Sequence, residues 1–134
     1  MSEFRLLGDT LAVILTIHAI AWAEEGTRYG RGQLNLANRA DAFGIGMSFG
    51  FAESAADLLK LLRAPTVEAV FRLIQLLEQR YSIVEQIRSQ LDTQGDLHAY
   101  TSGAAEAYKI CAEYLKDVLI DYMLSVNTWV EHLS

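Results

Sequence analysis

Thirteen residues near the start of the chain, Leu11–Ala23 (LAVILTIHAIAWA), carry only Thr16 and His18 as polar interruptions. A helix apolar on every side is either wrapped by other helices or lodged in a membrane. The run falls short of the roughly 20 apolar residues a bilayer span needs, so no membrane insertion is expected. It reads instead as the central helix of a helical domain, covered by the helices of the remaining chain. Ala21-Trp22-Ala23 resembles the small-residue cleavage site of a secretory signal. Glu3 and Asp9 beside the lone Arg5 leave no positive leading region, however, so the run is expected to stay as a structural helix.

The 134 residues fit one domain, 1–134, and 51% hydrophobic residues are enough for a core without metal or disulfide support. A single cysteine, Cys111, excludes an internal disulfide and suits a reducing compartment, the cytoplasm. A formal charge of −6 disfavours non-specific binding of nucleic acid, and no nucleic-acid partner is expected. The one basic cluster, Arg28, Arg31 and Arg39 around Tyr29, reads as a salt-bridged connection.

Four helices are expected, over about 9–25, 38–63, 66–92 and 98–132, in an antiparallel bundle. The first opens on Asp9 or Thr10 and stops at Gly26, a residue suited to the position just past a helix end. A long glycine-rich connection comes next. Large residues at 43, 45, 47, 49 and 51 also fit a short β-hairpin within 27–51. Against that, Phe43, Met47, Phe51, Ala55, Leu58 and Leu62 step by three and four through to the second helix's end, and a lone hairpin is marginal. Ile45, Phe49, Ala52, Ala56 and Leu59 extend this stripe, with Glu53, Asp57 and Lys60 opposite. Ala42, Gly46, Gly50 and Ser54 form a small-residue ridge for close packing. Pro65 breaks the chain, Pro65 or Thr66 opens the third helix, and that helix sets Val67, Val70, Ile74, Leu77, Tyr81, Val84 and Leu91 on one apolar face, interrupted by Arg88, with Glu68 and Arg72 paired at i,i+4 on the exposed side. The fourth turns Ala104, Tyr108, Cys111, Leu115, Val118, Tyr122, Val126, Trp129 and Leu133 inward.

Catalytic chemistry finds little support. No two histidines share a helix at metal-binding spacing, and no nucleophile elbow or phosphate loop occurs. No catalytic residue, cofactor or metal ligand is assigned. His18, Glu24, Glu25, Arg28 and Arg31 form a candidate polar site. Glu53 with Asp57, and Glu113 with Asp117 and Asp121, align acids at i,i+4, the spacing of a metal-dependent or ligand-binding helical enzyme. That is the alternative reading.

The preferred reading is a non-enzymatic interaction module that self-associates, as a dimer, or binds a protein partner through its C-terminal helix. After Asp117 the polar face of that helix shrinks. Ile120 and Leu124 stand where solvent should be, with Tyr122, Met123 and Trp129 nearby, and a second apolar strip needs a second surface.

Overall fold

A computed structural model describes the backbone of residues 2–30 and 39–133 and the side chains of residues 11–26 and 42–125. It contains four helices, α1 (Ser2–Gly30), α2 (Arg39–Leu61), α3 (Val67–Ser89) and α4 (Asp96–Leu133). The chain is an all-α four-helix bundle, as the periodicity predicts. The β-hairpin alternative over 27–51 is set aside, because α2 runs through Phe43–Phe51 as helix. Of the expected glycine-rich connection, residues 26–30 belong to α1, and residues 31–38 lie outside the described residues.

Successive helices run antiparallel, yet the most closely packed pair is α2 with α4. These two run parallel. Gly46 sits by Tyr100 and Ala104, and Gly50 by Ala104 and Ala107, so residue numbers rise together along the contact. α1 lies along α2 and α3 along α4, giving the spatial order α1–α2–α4–α3. The cause is local. The ridge Ala42–Gly46–Gly50–Ser54 meets a matching ridge on α4, Ala99, Gly103, Ala107 and Cys111, and all eight are buried. Without side chains between them, the two backbones approach until they touch. The sequence-read ridge is therefore a packing device.

One core joins all four helices. Leu11, Leu15 and Trp22 of α1 meet Met47, Phe51 and Leu58 of α2, Val70, Ile74 and Leu77 of α3, and Tyr108, Cys111 and Leu115 of α4. The α2 stripe is narrower than expected, since Phe43, Phe49 and Leu59 stay exposed. On α3, Val67 is also exposed, and Leu73 joins the core in addition to the expected set.

Two expectations about α1 are corrected. It neither starts at Asp9 nor ends at Gly26, but runs from Ser2 to Gly30. Gly26 is a buried contact point: Ser48 Oγ donates to its carbonyl at 2.6 Å, and its bare Cα faces the backbone of Ser48 and Ala52. Packing against α2 offsets the roughly 1 kcal/mol that a mid-helix glycine costs. The second correction concerns burial. Leu11, Leu15, Ala19 and Trp22 are enclosed, but Val13, Ile17 and Ile20 on the opposite side are open to solvent. α1 is an outer helix of the bundle, and the centre belongs to α2 and α4.

Caps and pairs explain the ends of α3. Thr66 accepts a hydrogen bond from the Ala69 N–H at 3.0 Å, closing the first turn. Glu68 and Arg72 form the expected i,i+4 pair at 2.6 Å. Arg88, which interrupts the apolar series, is held by Glu85 one turn back.

Candidate interaction surface and polar cluster

α4 has 38 residues, about 57 Å at 1.5 Å per residue, whereas α2 and α3 have 23 each, about 35 Å. α1, at 29 residues, falls between them, so α4 is the longest of the four helices. Among the described side chains of α4, full burial ends at Val118. Beyond it Ile120, Met123 and Leu124 are 50–59% exposed. Tyr122, also expected at the interface, is half-buried and packs on the edge of the core. The side chain of Trp129 lies outside the described residues. Asp117 and Asp121 flank the strip and are exposed.

The candidate polar site around His18 is not assembled. His18 points inward, its ring 5.9 Å from that of Tyr114 and 6.4 Å from that of Trp22. Burial holds its pKa below the ordinary 6.5, because the charged imidazolium is poorly solvated there. Glu24 is exposed on a different face of α1, and Glu25 lies two turns along, roughly 10 Å away. The side chains of Arg28 and Arg31 lie outside the described residues.

A polar cluster does form elsewhere, between α2, α3 and α4. Arg80 Nε reaches Glu53 Oε1 at 3.1 Å, and Arg80 Nη1 pairs with Asp57. Tyr108 Oη donates to Glu53 Oε2 at 3.0 Å, and the Arg80 guanidinium lies 6.0 Å from the Tyr108 ring. Burial, with the Glu53 carboxylate beside it, raises the Tyr108 phenol well above its usual range. This cluster bridges α2 and α3, whose backbones scarcely approach. Sequence reasoning paired Glu53 with Asp57 but missed Arg80. The available signal was a single cation at the centre of an apolar series, Leu76, Ile83 and Ile87, spaced by seven and four.

Because Arg80 holds both carboxylates, Glu53 and Asp57 are not open to a metal. Among the described residues no group of three or more His, Cys, Asp or Glu could hold one. Glu113, Asp117 and Asp121 stay on the exposed side of α4. Three buried polar atoms, Trp22 Nε1, Ser54 Oγ and His98 Nδ1, have no hydrogen-bond partner among the described residues. The Ser54 hydroxyl faces the Cys111 thiol without completing a well-formed bond. Burial pushes that thiol up to about 12, with the hydroxyl pulling slightly the other way.

No described helix is long and apolar enough to cross a membrane. Comparison of the chain with protein-family models, curated proteins and solved structures finds no match.

Proposed function

We propose that the chain is a small non-enzymatic interaction module, of adaptor, regulator or inhibitor type, that engages a protein partner through the C-terminal part of α4. The carrying observation is that Val118 is the last fully buried side chain among those described on α4, while the apolar pattern continues into the exposed Ile120, Met123 and Leu124. An amphipathic helix laid along this strip would cover it as helix-in-groove partners do. Asp117 and Asp121 along its edge select a partner with basic flanks, and a second copy of the same strip would bring acid against acid. A lone buried thiol suits a cytoplasmic setting.

The test uses a synthetic amphipathic helix with a leucine face flanked by lysines, followed by fluorescence anisotropy against the full chain. The wild-type chain should bind it in a salt-sensitive way. Leu124→Asp should weaken binding at least tenfold with the circular dichroism spectrum unchanged. Equal binding by both proteins, or binding by neither, would defeat the reading.

A further inference from the structure

Ser54 is the one polar residue among the described residues that is fully buried, at 0% exposure. Serines and threonines inside helices commonly turn the hydroxyl back onto a carbonyl one turn earlier, as Thr16, Thr101 and Ser102 do here. Ser54 does not. Its Oγ faces the Cys111 thiol of α4 and has no hydrogen-bond partner among the described residues. Trp22 of α1, 1% exposed, is in the same state, because its Nε1–H has no partner there either. A buried polar group left unpaired keeps the full cost of leaving water, so two of them in one core call for a common cause.

The helix registers bring the two together. Gly26 lies against Ser48 and Ala52, so Trp22, one turn earlier on an antiparallel helix, stands level with residues 52–56 of α2. The His18–Tyr114 ring contact sets Trp22, one turn after His18, level with residues 110 and 111 of α4. Three helices thus deliver Trp22, Ser54 and Cys111 to one layer of the core. The buried neighbours closest in register, Ala19, Ala55 and Ala107, offer no side-chain polar atom. No charged side chain is buried among the described residues, so the layer has no counter-charge for an ion. An indole N–H only donates, a hydroxyl donates and accepts, and a thiol does each weakly. The complement is a small neutral molecule that accepts one bond and gives another.

We infer that Trp22, Ser54 and Cys111 form a binding site for one buried water molecule, shared by α1, α2 and α4. The Trp22 indole N–H donates to the water, the water donates to Ser54 Oγ, and the Ser54 hydroxyl donates to the Cys111 sulfur. That chain satisfies both orphaned atoms with one ligand. It also ties α1 to α4, whose backbones scarcely approach, through the helix that lies between them. The site is independent of the α4 strip.

Urea unfolding of Ser54→Ala gives opposite signs with and without the water. Alanine is the better helix former and removes an unpaired hydroxyl, so a dry site predicts a higher midpoint. A bound water predicts a lower one, because the substitution breaks the bridge and strands the indole. In a Trp22→Phe background the water has lost its donor, and Ser54→Ala should no longer lower the midpoint. A crystal structure of the full chain should show one water within about 3.2 Å of both Trp22 Nε1 and Ser54 Oγ, a reading that stands even where Trp22→Phe fails to fold. A higher midpoint for Ser54→Ala overturns the inference. So does an equal fall in both backgrounds, which would assign the effect to the Ser54–Cys111 contact alone, or a crystal with no water bridging the two atoms.

Discussion

Gly46 of α2 and Gly103 of α4 make reciprocal contacts: Gly46 lays its Cα against the Tyr100 carbonyl, and Gly103 lays its Cα against that of Phe43. A Cβ at either position would overlap backbone, which cannot swing aside as a side chain can. The parallel α2–α4 contact, and with it the order of the bundle, depends on these two missing side chains.

Gly46→Ala and Gly103→Ala should each destabilise the fold by about 1–3 kcal/mol in urea unfolding, although alanine is the better helix former by about 1 kcal/mol. Gly26→Ala provides the contrast. A Cβ there would stand 3.3 Å from the Ser48 carbonyl oxygen and 3.5 Å from the Ala52 Cβ, a fit that needs only a small adjustment. Its change should stay within about 1 kcal/mol of zero. Stabilisation by all three substitutions would mean that the helices do not meet at these glycines.

Arg80→Met should cost about 1–3 kcal/mol, since it strands two carboxylates that share one cation at a half-buried site. Tyr108→Phe should cost about 0.5–1.5 kcal/mol through the lost bond to Glu53. The double variant should lose less than the sum, because both act on Glu53. Strict additivity in denaturant melts would show that the cluster does not work as a unit.

Acid should weaken the fold through His18. Burial lowers its pKa, so the folded state favours the neutral ring. Its contribution is complete above 6.5 and is lost as pH falls, when the unfolded chain takes up the proton first. His18→Leu should flatten the decline in melting temperature between pH 7 and 5. The imidazole carbon proton should report a midpoint below 6.5 by NMR, and a midpoint above that value would contradict an inward-facing ring.

Alkali should act through Cys111 and Tyr108. Both groups are held protonated by burial, the thiol up to about 12, so stability is complete below their unfolded pKa values and falls as pH rises past them. Between pH 9 and 12, Cys111→Ala should lose stability less steeply than the wild type. The native thiol should resist a chromogenic disulfide reagent that labels the unfolded chain within mixing time. Rapid labelling of the native protein would place the thiol at the surface.

Much of the architecture was legible from periodicity. Helix number, the Pro65 break, the Thr66 cap, the inner face of α4 from Ala104 to Val118 and the small-residue ridge of α2 are local patterns, written at spacings of three and four. The exposed Ile120 and Leu124 were legible for the same reason: they fall on the wrong side of a regular series. Gly26 misled because glycine ends a helix unless another backbone packs on it, and that backbone is 22 residues away.

Composition and period by themselves determined that this chain must be helical, that it could close a core without a disulfide, and that it carried more apolar surface than its polar faces allow. Both are properties of the chain, so no partner is needed to read them. Which helix took the centre was decided only in three dimensions. Leu11–Ala23 is the greasiest stretch, but α2 and α4 bring their backbones closer through paired glycines and alanines and so claim the middle. α1 is left with one face inside and one outside. The union of Arg80 with Glu53, Asp57 and Tyr108 was likewise a tertiary outcome, since an ion pair across three helices has no sequence period.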